Sequence, residues 1–136
     1  MLGEKIGEET GMVTTQRILP SDGLPRLEIS FEASGAYFGV QAVDRGTYTA
    51  EMRADGTIYG QGQGVVMGMG GEVATWTGSG VGVFGENGSI RYSGAIFYRT
   101  SVPAWERLNR CAGVFEYDVD AANKTVGRIW EWNQSQ

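Results

Sequence analysis

The chain has 136 residues, a formal net charge of −5 and only two lysines, Lys5 and Lys124. That balance excludes a phosphate-binding surface, which needs clustered basic side chains, so no nucleic-acid partner is expected. An apolar content of 41% and 11% aromatics, with 22 glycines but only 3 prolines, exclude disorder and collagen-like repeats and predict a single domain over residues 1–136.

Taken in chain order, hydrophobic periodicity favours two over 3.6 nearly everywhere, which is the signature of strands. The first predicted strand covers residues 11–19, and a compact connection with Pro20, Asp22 and Gly23 follows. In RLEISFEAS, Leu27, Ile29, Phe31 and Ala33 alternate with Glu28, Ser30 and Glu32, a half-buried strand. Further strands are predicted at 40–53, 57–67, 72–84, 89–100, 108–119 and 125–132. Asp55-Gly56, Gly70-Gly71, Asn87-Gly88 and the 120–124 stretch separate neighbours, and Asp-Gly and Asn-Gly suit hairpins because both accept positive φ. Residues 101–107, SVPAWER, offer room for one short helical turn, with Pro103 near its start.

Eight strands joined by short turns form an antiparallel meander, and closing it on itself removes both exposed edges. The expected fold is therefore all-β, a closed eight-stranded antiparallel barrel; a two-layer sandwich is the competitor, although its crossovers need longer connections than this chain has. Glycine recurs on alternate positions twice, at Gly60/Gly62/Gly64 and Gly78/Gly80/Gly82, baring one face of two neighbouring strands. Either the sheet bends sharply there, or a ligand or another backbone comes close.

The segment 60–132 carries G-x-G-x-G, then E-V-A-T-W-T-G-S-G-V-G, I-R-Y-S-G-A-I-F-Y-R-T and L-N-x-x-x-G-V-F-E-Y-x-V-D. This cadence of glycine, aromatic and turn residues resembles the allene oxide cyclase-type barrels and their uncharacterised bacterial relatives, which are small, eight-stranded and calycin-like. The resemblance covers somewhat more than half the chain. It implies either cyclisation of a reactive intermediate held in the cavity or simple ligand binding. No cyclase active-site residue matches one by one, so none is carried over.

The chemistry available is bounded by what is missing. Without a histidine the chain has no Ser-His-Asp or Cys-His arrangement, no His-ligated haem and no ordinary zinc site, and neither metal nor cofactor is expected. Cys111 is the only cysteine, which rules out an intrachain disulfide and suits a reducing compartment. The opening MLGEKIGEET lacks the basic start and apolar run of a signal peptide, and no apolar stretch is long enough to span a membrane. A cytoplasmic protein with no membrane partner is expected.

Strand parity nominates the inward residues. The even face of 89–100 carries Ile90, Tyr92, Gly94, Ile96 and Tyr98, and that of 72–84 carries Trp76, three glycines and Phe84. Large rings beside bare glycines give either an aromatic-walled cavity or a dry interdigitated core. Three polar residues share faces with apolar ones: Asp44 with Val40, Ala42 and Tyr48; Asn109 with Cys111, Phe115 and Tyr117; Arg128 with Val126, Trp130 and Trp132. Each has a bland alternative, respectively a bulge before Arg45-Gly46, a loop tie and a rim position. Glu116 and Asp118 read as solvated outer acids, and Cys111 as an inert thiol. The expected ligand-binding set is Trp76, Tyr92, Tyr98, Asn109, Arg128 and Asp44, holding an apolar or amphipathic molecule whose anionic end would suit Arg128. A cavity-templated isomerase or cyclase is the alternative, with no catalytic residue nameable. A further alternative is a dry-cored barrel acting as a homo-oligomer through Phe97 and one of Trp130 and Trp132.

Overall fold

The computed structural model describes residues 2–132 and is a closed eight-stranded antiparallel barrel in simple meander order. Its strands are β1 (Leu2–Ile18), β2 (Arg26–Tyr37), β3 (Val40–Met52), β4 (Ile58–Gly68), β5 (Val73–Phe84), β6 (Ile90–Arg99), β7 (Gly113–Val119) and β8 (Lys124–Trp132). Closure comes from β1 pairing with β8, Glu9 opposite Gly127 and Gly11 opposite Thr125. The predicted turns fall where Asp-Gly and Asn-Gly placed them, with Gly56 and Asn87 at positive φ. At the 53–57 turn the Asp55 carboxylate accepts hydrogen bonds from the Thr57 amide and hydroxyl.

Two boundaries differ from the sequence reading. β1 begins at Leu2 rather than residue 11, because its register shifts between Leu2 and Gly7 and places Ile6 and Gly7, consecutive residues, both inside. Such an irregularity breaks the period of two that marks a strand. The other difference is at residues 108–112, expected in strand. They belong to a 3-10 segment, Pro103–Arg110, and its exit, so β7 starts only at Gly113. This segment is longer than the predicted turn, and it lies across one mouth of the barrel with Trp105 and Leu108 at 0% and 1% exposure.

The interior has three levels. At the mouth covered by Pro103–Arg110, Trp105 and Leu108 pack with Ile6, Tyr37 and Tyr98. At the opposite end Ile29, Ala50, Ile58, Tyr92 and Val119 form a second apolar cluster. Between them lie the alternate glycines, which do two jobs. A Cβ on Gly11 or Gly94 would collide with the backbone of the adjacent strand, 2.5 Å from the Cα of Ala33 and of Gly80 respectively; here the strands coil tightly and bulk is excluded. Gly46, Gly64 and Gly82 instead make recesses for rings, those of Trp76, Phe31 and Tyr92.

Candidate functional site

The middle level is polar at one wall. Glu9, from β1, and Asp44, from β3, point into the lumen and are 5% and 4% exposed. Parity explains both: Glu9 lies between Gly7 and Gly11 on the inward face of β1, and Asp44 between Ala42 and Gly46 on that of β3. β3 runs without a bulge on either side. The Tyr37 hydroxyl donates to Glu9 Oε1 at 2.8 Å, and the Trp76 indole donates to Asp44 Oδ1 at 2.8 Å. Glu9 and Asp44 are close enough to couple electrostatically.

Burial dominates the ionisation of this pair, because removing a carboxylate from water disfavours its charged form. It lifts Glu9 well above the usual carboxylate range, and the neighbouring Asp44 charge lifts it further. Burial lifts Asp44 as well, but hydrogen bonds from Glu9, Trp76 and Tyr37 hold it back. The two carboxyls therefore titrate as one coupled pair, and burial favours its protonated forms. Tyr37 and Tyr98 are pushed well above the ordinary phenol value, first by burial.

Below the pair lies a cavity of about 80 Å³. Its floor is the bare patch where Gly60 faces Gly80 and Gly62 faces Gly78 across β4 and β5. Its walls are rings: Phe31, Tyr48, Trp76, Tyr92, Phe115 and Tyr117. These pack edge-on or tilted to one another, Tyr48 against Tyr92 at 5.6 Å and Phe31 against Tyr117 at 5.4 Å between centroids. The recesses at Gly46, Gly64 and Gly82 are filled by aromatic side chains, as in an interdigitated core, whereas the floor at Gly60 and Gly78 is left open. Both outcomes weighed from the sequence therefore occur, one above the other.

The nominated residues divide accordingly. Asp44, Trp76 and Tyr92 line this cavity, and Arg128 borders it. Tyr98 faces inward but sits a layer away, 2% exposed and edge-on to Tyr37 at 6.1 Å. Asn109 does not share a face with Phe115. It is exposed on the 3-10 segment, where its side chain accepts from the Thr100 amide and donates to the Thr100 carbonyl, which is the loop tie. Arg128 lies on the outer face, because the alternation that aims Gly127 at Glu9 turns its neighbour outward. There it pairs with Glu8 at 3.6 Å and Asp118 at 3.9 Å, so although Arg128 borders the cavity its charge is engaged by acids outside the lumen. Asp118 also takes Arg91 in a two-pronged bond of 2.7 and 2.9 Å. Cys111 is buried, and burial pushes its thiol up, away from reactivity. Among the described residues no group of acids and Cys111 is placed to hold a metal ion, and no helix is long and apolar enough to cross a membrane.

No protein-family model matches the chain, and no curated protein is similar to it. Solved structures do share its fold. A conserved protein of unknown function from Rhodopseudomonas palustris superimposes with a TM-score of 0.80 at 14% identity, covering 96% of this chain and 97% of that one. A protein of unknown function from Clostridium acetobutylicum ATCC 824 gives 0.82 at 11% identity, over 96% and 98%. A β-barrel-like protein from Acinetobacter baumannii AYE gives 0.80 at 11%, over 96% and 94%. Such coverage in both directions carries the likeness across nearly the full barrel, and at these identities it concerns the fold alone.

Proposed function

We propose that the protein is a binding module that takes a small molecule, or the end of a larger amphipathic one, into its lumen. One observation carries this reading: a Cβ on Gly62 or Gly80 would strike backbone oxygens of the adjacent strands, those of Thr47 and Ser93 respectively, but the other two floor positions are bare without such a clash. A Cβ on Gly60 would meet Tyr92 at 3.2 Å, and one on Gly78 would meet the Ala95 carbonyl at 3.2 Å, each a tightness of a few tenths of an ångström. A barrel that needed only to fold would gain by placing side chains there, since filling a void restores dispersion contacts. The space is kept instead, beside the buried carboxyl pair.

The test is an amide and indole NMR titration with n-propanol, a neutral molecule of the cavity's scale. Shifts should gather on the Trp76 indole and on the Gly60 and Gly78 amides, and Gly78→Val should remove them while the fold persists. An unperturbed spectrum at high propanol concentration refutes the reading. The alternative, an isomerase or cyclase templated by the cavity as the allene oxide cyclase-type likeness implies, draws on the same carboxyl pair as a proton donor and acceptor. A turnover that follows pH and disappears in Glu9→Gln, with propanol binding retained, would favour it.

A further inference from the structure

We propose that the Glu9–Asp44 pair is the recognition element for a small organic cation, a primary or methylated ammonium head group whose apolar remainder rests on the glycine floor. This rests on the lumen being a ligand site, and it names the ligand's class.

The first argument is a charge inventory. Facing the pair are Tyr37 from β2, Tyr98 from β6 and, across the cavity, Tyr48, Tyr92 and Tyr117, with Cys111 beyond Tyr98; Arg128 and Glu116 border the cavity from outward-facing positions, where Arg128 pairs with Glu8 and Asp118. None of the inward-facing groups carries positive charge. Among the described residues every lysine and arginine is exposed or half-buried rather than buried, and those in ion pairs meet acids on the outer surface. The lumen therefore holds two acids and no counter-ion. An ionised carboxylate there is uncompensated, a costly state that a bound cation would relieve.

The walls agree in sign. Ring faces carry partial negative charge, which attracts ammonium groups and repels anions. The hydrogen-bonding capacity agrees too. Tyr37 and Trp76 occupy Glu9 Oε1 and Asp44 Oδ1, and each carboxyl has a second oxygen. Those second oxygens are the acceptors an ammonium N–H donor would use. Polar atoms are also held in reserve: the Tyr98 hydroxyl, on a side chain 2% exposed and close enough to feel both carboxyls, has no partner, nor has the Tyr117 hydroxyl on the cavity wall. Finally, about 80 Å³ is well below the ~150 Å³ that accommodates benzene. The space suits a head group of three or four heavy atoms.

Binding is then an exchange. The ammonium's N–H groups bond to both carboxylates, the pair gives up a proton, and that proton leaves to solvent. Affinity should rise with pH between 5 and 8 as the pair becomes easier to ionise while the amine stays protonated.

The experiment is calorimetry on the intact chain with n-propylammonium, its neutral isostere n-propanol, and propionate, each in two buffers of different ionisation enthalpy. Expected are at least tenfold tighter binding of propylammonium than of propanol at pH 8, proton release at pH 6 and no binding of propionate. Glu9→Gln and Asp44→Asn keep an acceptor for Tyr37 and Trp76 respectively, so both should fold; each should lose most of the preference for propylammonium over propanol. Equal binding of propylammonium and propanol, or a preference that survives both substitutions, overturns the proposal while leaving the lumen a ligand site. Binding of propionate in preference overturns it as well. Absence of any binding, propanol included, removes both readings together.

Discussion

Gly64→Ala tests whether the recess above Trp76 is as tight as the geometry makes it. A Cβ at residue 64 would stand 2.5 Å from both Cζ2 and Nε1 of the Trp76 indole, about 1 Å inside van der Waals contact. The ring has little freedom to retreat. It stacks on Phe31 at 6.3 Å and 27°, and its N–H is tied to Asp44 at 2.8 Å. A displacement of about 1 Å would stretch that bond past hydrogen-bonding range. Overpacking of this kind costs about 1–3 kcal/mol, and losing a hydrogen bond to a charged acceptor costs about 1.5–3 kcal/mol more. Alanine's lower backbone entropy loss returns about 0.5–1 kcal/mol. The expected net loss is about 2–5 kcal/mol by urea denaturation, with a changed near-ultraviolet Trp signal. Gly60→Ala is the control. Its Cβ is only slightly tight against Tyr92, so the clash and the entropy gain offset each other to within about 1 kcal/mol. A Gly64→Ala protein as stable as the parent, or a Gly60→Ala protein equally damaged, would refute the steric assignment.

Two further predictions concern the levels above and around it. Glu9 and Asp44 both have raised pKa values in the fold, so ionisation favours the unfolded chain. Their contribution is fully present below the ordinary carboxylate value and is lost as pH rises through the folded values. Glu9→Gln should therefore gain in Tm relative to the parent as pH goes from 5 to 8; parallel Tm profiles would contradict the ionisation argument. Trp105→Ala should cost about 3–5 kcal/mol, because the indole is fully buried between Tyr37 and the barrel mouth; a loss under about 1 kcal/mol in urea would show that the 3-10 segment does not hold that mouth shut.

Closure, strand order and the inward faces of β5 and β6 were legible because period two and hairpin glycines are local signals, and nothing between residues 40 and 100 interrupts them. Asp44 was legible for the same reason: the strand that carries it has no bulge. Its partner was not. Glu9 follows an irregular stretch in which Ile6 and Gly7 both turn inward, and beside Glu8 it reads as one of two solvated acids. The signal that finds it is its flanking by Gly7 and Gly11 on one face, small residues beside an acid that must fit inside. Arg128 misled because Val126, Trp130 and Trp132 look like a core face, whereas β8's true interior face holds Thr125, Gly127 and Ile129, buried but less conspicuous. Aromatic bulk is a weaker guide to the inside of a narrow barrel than small size. The turn at Phe38-Gly39, both at positive φ, lacks the usual Asn or Asp. Phe38 packs on the core instead, under the Arg107 guanidinium at 5.5 Å, and tertiary contact overrides the local preference there.

The division of the interior into levels bears on what selection has kept. Two apolar clusters at the ends, one of them beneath the 3-10 segment, account for most of the fully buried side chains. The middle, although Phe31, Trp76, Tyr92 and Ile96 are buried there too, carries features that weaken a fold: two buried acids, bare glycines that forgo contacts, and hydroxyls without partners. Replacing a buried acid pair by apolar residues of similar volume commonly leaves stability unchanged or improves it. Stability alone therefore does not explain Glu9 and Asp44. A site that must accept charge from outside does, because its cost in the empty protein is the binding energy available when a cation arrives.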